Sequence, residues 1–552
     1  MNTRSLLSQL YLNLTVAAIL TGAVFLPHPA TGAGRVLSWG GNFNGQLGNN
    51  STAQSGVPLA VSTTGVLAGK TVTMIATGSG FSLALCSDGT LAAWGQNTYG
   101  QLGDGTTTQR LTPVAVNTGA GSALNGKTVT AIAAGSAYCL ALCADGKVVA
   151  WGWNRFGQLG TGVTNNSYLP VAVSISGVLS GRTVTAIASG SSHNLALCSD
   201  HSLVAWGYNT YGQIGDGSTT TRLLPVSIGG GALSGKVMAG IACGGSHSLV
   251  RCTDGTVAAW GYNGSGQLGN NDGMMNNSST PVAVDTSASS YLNGKWVTAL
   301  AAGGSHSLAL CSDGTVSAWG DCNNGQLGVN AYQFTLVPLA VSTAAGVSAL
   351  YGKTVTAVAA GSIHSMALCS DGTLAAWGDD AYGELGDNGA ATQLAPVAVN
   401  PGALSAGESF NGLATGPAAV FCLALAATPP VAAITVSGNG LTVTNGARGA
   451  RPADGTDFGT ISALGGTVTR TFAITNNGTA TLNLTGTPRV SISGPQAGQF
   501  SVTQMPVSTV AAGGGGTMFQ ITATATAAGV QTADVSIASD APGVIPTRSQ
   551  FK

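Results

Sequence analysis

Charged residues are scarce in this chain, and their scarcity excludes two classes of partner. Of the 552 residues, 19 are Lys or Arg and 20 are Asp or Glu, which gives a formal net charge of −1. Binding to nucleic acid or to an anionic membrane surface depends on a concentrated basic field. We therefore expect no nucleic-acid partner.

Long hydrophobic runs are lacking after the first thirty residues. Near the N-terminus, Arg4 precedes a largely apolar stretch over residues 10–26, and small residues follow at positions 30–33. The apolar stretch is shorter than the ~20 residues that a membrane span needs. The pattern predicts a secretory signal peptide over residues 1–33, and hence a secreted or cell-surface protein without a membrane span once that peptide is cleaved.

Glycine is abundant, with 83 residues, and much of it belongs to an internal repeat. Trp-Gly recurs seven times at intervals of 54 to 59 residues, each time followed by Gly-Gln-Leu-Gly or a close variant of it. The tryptophans are Trp39, Trp94, Trp151, Trp206, Trp260, Trp319 and Trp377. A repeat of this length is typical of propeller blades, so we predict an all-β, seven-bladed β-propeller.

Each repeat predicts four short strands with a period of two. In the first complete copy they cover residues 72–76, 81–86, 91–94 and 113–116, and Asp88-Gly89 predicts a type I′ turn between the second and third. The chain enters with a third-strand copy (35–39) and leaves after a second-strand copy (421–425). We expect these ends to pair in one split blade that closes the ring.

Two positions that hold the same type of residue in most repeats have structural explanations. Six cysteines occupy one position of successive blades, and packed sheets lie ~10 Å apart, beyond the reach of a disulfide, so we expect buried thiols. One Lys or Arg precedes the first strand of six blades, where we expect a solvated side chain; these are Lys70, Lys127, Arg182, Lys236, Lys295 and Lys353.

Histidine recurs at one repeat position and suggests zinc at first sight. The four residues are His193, His247, His306 and His364, and the same position holds Phe81, Tyr138 and Phe421 in the other blades. This interchange favours a packed ring over a metal ligand. No arrangement of nucleophile, base and orienting acid can be assembled from the repeats, so we expect no catalytic residue, metal or cofactor.

The paired patterns Trp-Gly-x-Asn-x-x-Gly-Gln-Leu-Gly and Gly-Ser-x-His-Ser-Leu-Ala-Leu-Cys-x-Asp-Gly resemble the regulator of chromosome condensation family over residues 34–428. The resemblance implies a seven-bladed propeller. It does not imply one function, because members of that family serve as a nuclear exchange factor for a small GTPase, as modules of ubiquitin ligases or light receptors, and as an inhibitor of β-lactamases.

A second domain is expected over residues 429–552, where the repeat stops. Alternating runs at 471–474, 481–484 and 533–537 predict an immunoglobulin-like β-sandwich. The segments 454–459, 475–480 and 537–540 resemble choice-of-anchor D domains of bacterial surface proteins, which implies a stalk or spacer. Residues 541–552 lack alternation, so we expect the last strand of such a domain to be missing and the chain to be truncated or released.

The position directly after Trp-Gly supplies the candidate binding residues. Around the ring it holds Gly41, Gln96, Trp153, Tyr208, Tyr262, Asp321 and Asp379. Trp153, Tyr208 and Tyr262 lie on consecutive blades, and large amphipathic rings are frequent among interface hot spots. We predict that they bind a partner; the alternative is that each ring covers the loop of its neighbour.

The function predicted from these observations is a secreted or cell-surface protein-binding or scaffold module, monomeric and without catalytic activity. Its partner would be another protein or a surface component. Two alternatives stay open: an inhibitor of a secreted enzyme, and a guanine-nucleotide exchange regulator, which would require the chain to remain inside the cell.

Overall fold

Two compact units make up the chain, one ending at Ala427 and the other starting at Thr428. The computed structural model describes residues 34–429, 431–443, 450–461, 465–526, 529–541 and 547–551. The predicted signal peptide, residues 1–33, lies outside the described residues. In the described ranges, no helix is both long enough and apolar enough to cross a membrane.

The first unit consists of seven four-stranded antiparallel sheets, numbered here as blades 1 to 7. The two strands that open the chain and the first three blades are β1 (Arg35–Gly40), β2 (Ser55–Ala60), β3 (Val72–Thr77), β4 (Phe81–Cys86), β5 (Leu91–Gly95), β6 (Arg110–Ala115), β7 (Val129–Ala134), β8 (Tyr138–Cys143), β9 (Val148–Gly152), β10 (Ser167–Ala172), β11 (Val184–Ser189), β12 (His193–Cys198), β13 (Leu203–Gly207) and β14 (Arg222–Ile228).

The remaining strands of this unit are β15 (Met238–Cys243), β16 (His247–Cys252), β17 (Val257–Gly261), β18 (Ser278–Ala283), β19 (Val297–Ala302), β20 (His306–Cys311), β21 (Val316–Gly320), β22 (Thr335–Ala340), β23 (Val355–Ala360), β24 (His364–Cys369), β25 (Leu374–Gly378), β26 (Gln393–Ala398), β27 (Ser409–Ala414) and β28 (Phe421–Ala427). Blades 1 to 6 take four consecutive strands each, starting at β3. Blade 7 combines β27 and β28 with β1 and β2. Single turns of 3-10 helix occur at Gly65–Leu67, Gly177–Leu179, Gly231–Leu233 and Pro401–Ala403.

The first strands of the blades neighbour one another in a closed circle around a central channel, as in a propeller. Apart from Arg251 in β16, every residue of the second strands is buried, because each sheet is covered on both faces. In β4, Leu83 and Leu85 pack against Ala141 and Cys143 of blade 2. Small side chains of one blade thus pack against large side chains of the next.

The split blade closes the ring as predicted. Strand β1 pairs antiparallel with β28 in an unbroken register from Arg35↔Ala426 to Gly40↔Phe421. The Arg35 guanidinium also binds the Glu408 carboxylate at 2.6 Å, just before β27. The N-terminal segment supplies the two outer strands of blade 7, so the ring holds together without an exposed edge at the junction.

The cysteines and the blade turns give one confirmation and one correction. All ten cysteines are buried thiols without a disulfide. The type I′ prediction for the turns is wrong: Gly89 N donates to Cys86 O and Gly89 has φ of +84°, whereas Asp88 is not in the left-handed region. The arrangement is a type I turn followed by a left-handed glycine, which needs only one residue of positive φ. In blade 3, His201 takes that place with φ of +62°.

The basic residues before the first strands are partly exposed, as expected, and they are also ion-paired, which the sequence did not indicate. Each pairs with the aspartate of the turn in its own blade: Lys70 with Asp88, Lys127 with Asp145, Arg182 with Asp200, Lys236 with Asp254, Lys295 with Asp313 and Lys353 with Asp371. The face of the propeller that carries these turns therefore neutralises its own charge.

The second unit contains β29 (Ile434–Gly438), β30 (Leu441–Thr442), β31 (Thr467–Asn476), β32 (Leu482–Asn483), β33 (Val490–Ser493), β34 (Phe500–Gln504), β35 (Thr509–Val510), β36 (Gly515–Thr524), β37 (Ala533–Ile537) and β38 (Thr547–Phe551), with a 3-10 turn at Ala497–Gln499. They form sheets in the orders β30-β29-β31-β36-β34, β32-β35 and β33-β37-β38. Phe472, Phe519, Leu482, Val490 and Val535 share one buried core, so all three sheets contribute to it.

The expectation that the last strand is missing is wrong. Strand β38 pairs antiparallel with β37, from Ala533↔Phe551 to Ile537↔Thr547. Backbone pairing with an existing strand does not require alternation of apolar and polar residues, which is why the sequence pattern missed it.

Ring closure makes a testable prediction. Deletion of residues 34–60 removes β1 and β2 and leaves the outer edge of β28 without a partner. We expect the thermal midpoint of unfolding to fall, with a loss of several kcal/mol of stability, because a buried strand edge loses its backbone partners.

Differential scanning calorimetry of the deletion measures this loss. The matched control ends the chain after Pro429 and retains all seven four-stranded sheets. A deletion of residues 34–60 that melts at the same temperature as this control would contradict the closure.

Candidate functional site

The two ends of the propeller differ in their loops. Antiparallel order places the connections between strands 1 and 2 and between strands 3 and 4 of every blade at one end, here called the loop face. The charged Asp-Gly turns lie at the other end. The Trp-Gly pairs end the third strands, so the residues that follow them lie on the loop face.

Each loop between strands 3 and 4 docks on the next blade through its Gly-Gln-Leu-Gly element. The backbone carbonyl of the Gln, or of Glu384 in blade 6, accepts a hydrogen bond from the indole Nε1 of the next tryptophan. This bond is present at all seven junctions, with N–O distances of 2.8 to 3.0 Å. At Gly48, which has φ of +66°, an added Cβ would lie 2.7 Å from Nε1 of Trp94. Glycine is required there because the indole occupies the space of a side chain.

Second strands add a further link between blades. The Nε2 atom of His247 lies 2.9 Å from Ser307 Oγ, and Ser307 Oγ donates to the carbonyl of Gln267 at 3.0 Å. Because the hydroxyl donates its proton to that carbonyl, its oxygen accepts a hydrogen bond from Nε2–H of the histidine. His193 and His306 make the same contact with a serine of the next blade.

The histidine rings are therefore packed, as expected, but they are also polar connectors, which the sequence did not indicate. All four are fully buried. Burial lowers the pKa of His306 to about 3 and that of His364 to about 4, so the rings are neutral at physiological pH. Among the described residues, no group of three or more His, Cys, Asp or Glu could hold a metal ion.

The predicted residues Trp153, Tyr208 and Tyr262 lie on the loop face and are brought together by three further rings. Together they form the aromatic arc, which runs over blades 1 to 4 in the order Tyr99, Trp153, Phe156, Tyr208, Tyr211, Tyr262. Successive ring centroids are 4.7 to 6.4 Å apart. The ring before Gly-Gln-Leu-Gly in one blade contacts the ring after Trp-Gly in the next.

The arc is only partly buried. Tyr99 is 37% exposed, and the other five rings are half-buried. The rings thus cover neighbouring loops and one another while keeping part of their surface accessible, which combines the two interpretations drawn from the sequence. Arg155 lies over the Phe156 ring at 5.9 Å from its centroid.

Three of the six rings of the arc were not predicted from the sequence. Tyr99, Phe156 and Tyr211 occupy the position immediately before Gly-Gln-Leu-Gly. The same repeat alignment that selected the position after Trp-Gly contains this second aromatic column, so the signal was present. The alignment does not show that a ring at this position contacts the ring after Trp-Gly in the next blade.

A recess lies on the loop face at the end of the arc and has a volume of about 470 Å3. Tyr211, Tyr262 and Asp321 line it together with residues of the strand 1–2 loops of blades 3 to 7. A second cavity of about 310 Å3 is the central channel, lined by the innermost strands. That channel is walled mainly by alanine, isoleucine, leucine, valine and threonine and offers few groups for chemistry.

Blade 6 departs from its siblings by carrying carboxyl groups in place of amides. In blades 7, 1, 2 and 3 the loop asparagine accepts from a backbone N–H through Oδ1 and donates through Nδ2 to carbonyls nine and eleven residues later. Asp380 keeps the first bond, with Leu385 N at 2.9 Å, but its Oδ2 has no partner among the described residues. An ionised carboxylate cannot donate a hydrogen bond.

Glu384 similarly replaces the glutamine of Gly-Gln-Leu-Gly. Its Oε2 accepts from Tyr382 N at 2.8 Å, while its Oε1 has no partner among the described residues. Both side chains are fully buried. Burial is the main cause, and the charge of Asp379 a smaller one, that raises the pKa of Asp380 to about 6 and that of Glu384 to about 7. This loop therefore holds its protons more tightly when folded than when unfolded.

Comparison with known proteins identifies relatives over the propeller. Residues 15–338 match the RCC1-like domain, and residues 313–368 and 355–384 match the regulator of chromosome condensation (RCC1) repeat. The ultraviolet-B receptor UVR8 of Arabidopsis thaliana is 29% identical over 64% of this chain and 74% of its own length. The E3 ubiquitin-protein ligase HERC2 of Homo sapiens is 30% identical over 70% of this chain. The matched region is only 8% of the length of HERC2.

Solved structures show the same fold. Prp20p from Saccharomyces cerevisiae, reported together with its binding to Gsp1p and histones, has a TM-score of 0.61 at 21% identity. The match covers 72% of this chain and 92% of Prp20p. At this identity the likeness concerns the propeller fold.

The carboxyl pair of blade 6 predicts a pH-dependent loss of stability. The variant Asp380→Asn with Glu384→Gln restores the pair of amides that blades 7 and 1 to 4 carry at these positions. Because the raised folded-state pKa values mean that deprotonation destabilises the folded protein, we expect the variant to be more stable than the parent by roughly 2 to 4 kcal/mol at pH 8. The difference should shrink as the pH falls from about 7 to 5.

Urea unfolding of both proteins at pH 5 and pH 8 measures the difference. The buried histidines lower stability below pH 6.5 in both proteins alike, so they cancel in the comparison. As a control, Asn209→Asp with Gln213→Glu should create the same pH-dependent loss in blade 3. A difference between parent and variant that is equal at both pH values would refute the prediction.

Proposed function

The chain belongs to the RCC1-like domain family, and we propose that it is a secreted or cell-surface module that binds another protein through the aromatic arc. It would act by binding alone, without catalysis of its own. Propellers of this family include regulators and binding modules, which supports a binding role for this one. The ligase activity in the name of HERC2 is not part of the proposal, because this chain spans 8% of that protein.

The observation that carries the proposal is the continuity of the arc. Six partly accessible rings, each in tilted or T-shaped contact with the next, span four adjacent blades. Aromatic side chains offer a large contact area with little loss of rotamer entropy, and hot spots of protein interfaces are enriched in Trp and Tyr. The rings are held by one another, so the surface is ordered before a partner arrives.

The contrast between the two ends of the propeller supports the loop face as the binding face. On the opposite end, six basic residues are each paired with an aspartate of their own blade. Exposed pairs of this kind contribute little to recognition because their charges are already compensated and solvated. The arc, by comparison, contains a single cation, Arg155, which stacks on Phe156.

The proposal also includes export of the protein and a spacer role for its second unit. The pattern of residues 1–33 supports a cleaved signal peptide. Residues 429–552 are proposed to be an immunoglobulin-like sandwich of the choice-of-anchor D kind that serves as a spacer. The long paired strands β31 and β36 and the core shared by three sheets are compatible with this assignment.

The test is the loss of binding when the arc is truncated. The full chain is immobilised and used to capture proteins from the growth medium of the source organism. The captured proteins are quantified by mass spectrometry. We expect Trp153→Ala with Tyr208→Ala and Tyr262→Ala to lose the captured partner, because each truncated hot-spot ring costs on the order of 2 kcal/mol of binding.

The matched control carries Trp296→Ala with Tyr351→Ala at the opposite end, where these rings are 50% and 62% exposed. It should capture the partner at the parental level, and both variants should melt close to the parent. Retention of the partner at full strength by the arc variant would refute the proposal, as would equal loss in the control.

A further inference from the structure

We propose that the recess at the end of the arc binds a cationic side chain, Lys or Arg, presented by the protein partner. This inference deepens the proposed function by naming the chemistry that the loop face recognises. It rests on three features of the recess: two aromatic walls, one carboxylate, and a set of hydroxyl groups that have no hydrogen-bond partner among the described residues.

The aromatic walls are Tyr211 and Tyr262. Their ring centroids are 4.9 Å apart and their planes are inclined by 56°, so the rings form a corner whose faces are directed differently. Both rings line the recess. The face of an aromatic ring is negative and attracts a cation placed within about 6 Å of its centroid.

The carboxylate is that of Asp321, which follows the Trp-Gly pair of blade 5. Its Oδ1 accepts from the backbone N and Nδ2 of Asn323 at 3.1 and 2.8 Å. These contacts fix the carboxylate, and within the described part of the chain Oδ2 has no hydrogen-bond partner. Of the described residues that line the recess, Asp321 alone is charged, so its negative charge has no counter-ion there.

Serine hydroxyls supply the remaining polar surface. Ser246, Ser305 and Ser362 line the recess from the strand 1–2 loops of three consecutive blades. In the described part of the chain their Oγ atoms make no hydrogen bond, although the carbonyls of Ser246 and Ser305 accept from Tyr262 N and Asp321 N. A hydroxyl oxygen accepts from ammonium or guanidinium N–H groups, which themselves have no acceptor capacity.

The combination selects a cation and rejects the alternatives. An anion would meet an uncompensated carboxylate, and a neutral apolar group would leave that carboxylate desolvated without a partner. A cationic side chain satisfies Asp321, stacks on Tyr211 or Tyr262 and donates to the serine hydroxyls. The aliphatic stem of Lys or Arg then lies along the arc, where its methylene groups contact the rings.

The experiment titrates the full chain with three small probes by ligand-observed NMR at low ionic strength. The probes are N-acetyl-arginine amide, N-acetyl-lysine amide and the neutral isostere N-acetyl-citrulline amide. We expect the arginine and lysine probes to bind at least about tenfold more tightly than citrulline. Added salt should weaken their binding, because the recess is open to solvent.

Three variants locate the site. Asp321→Asn and, separately, Tyr211→Leu should each weaken binding of the cationic probes by about fivefold or more, since each removes one attraction. Asp272→Asn removes a carboxylate from the loop face outside the recess and should leave binding unchanged. Equal binding of arginine and citrulline, absence of binding by both cations, or an unaltered Asp321→Asn titration would overturn the proposal.

Partner capture separates this proposal from the function on which it rests. The variant Trp153→Ala with Tyr208→Ala changes the arc outside the recess, whereas Asp321→Asn changes the recess alone. Loss of the partner only in the arc variant would leave the binding function standing and remove the cation site. Loss in both variants, with their melting temperatures unchanged, would support both.

Discussion

The propeller depends on one close approach that recurs at every junction between blades. The carbonyl of a loop glutamine, or of Glu384, accepts from the indole of the next blade, and the glycine two residues later lacks the Cβ that would collide with that indole. A buried indole N–H without an acceptor would cost about 1–3 kcal/mol. Each blade therefore needs its predecessor, and the split blade is the consequence, because a circle of seven such junctions has no first or last member.

This constraint explains which residues of the repeat can vary. The Trp, the two glycines and the aromatic or histidine ring of the second strand all face the junction, where volume and hydrogen bonds are fixed. The residues after Trp-Gly and before Gly-Gln-Leu-Gly face outward from it. They range from Gly41 through Trp153 to Asp379, and recognition can differ from blade to blade there without disturbing the ring.

The spacing of the tryptophans and the alternation of large and small residues were enough to predict seven blades, the closure between β1 and β28, and the buried thiols. The partners of the tryptophans could not be predicted, because their acceptor is a backbone carbonyl and residue types do not reveal it. The predicted turn type was wrong for a similar reason: Asp88-Gly89 is compatible with two backbone arrangements, and the length of the loop between the two strands decides between them. Strand β38 was missed because its pairing with β37 is a property of the backbone.

Half of the candidate site could be predicted from the sequence, and the other half depends on contacts between repeats that a repeat alignment does not show. Trp153, Tyr208 and Tyr262 stood out as one column, whereas their contacts with Tyr99, Phe156 and Tyr211 arise only when adjacent blades are placed side by side. The substitution of carboxyls for amides at Asp380 and Glu384 was visible as a drift from the consensus, yet its meaning depends on complete burial. In a ring of near-identical units, chemistry is added where one unit departs from the rest: the aromatic arc lies on blades 1 to 4, and the position after Trp-Gly holds an aspartate in blades 5 and 6. The recess lies where these two departures meet, at Tyr262 and Asp321, and it is at this break in the symmetry of the repeat that we propose a partner is recognised.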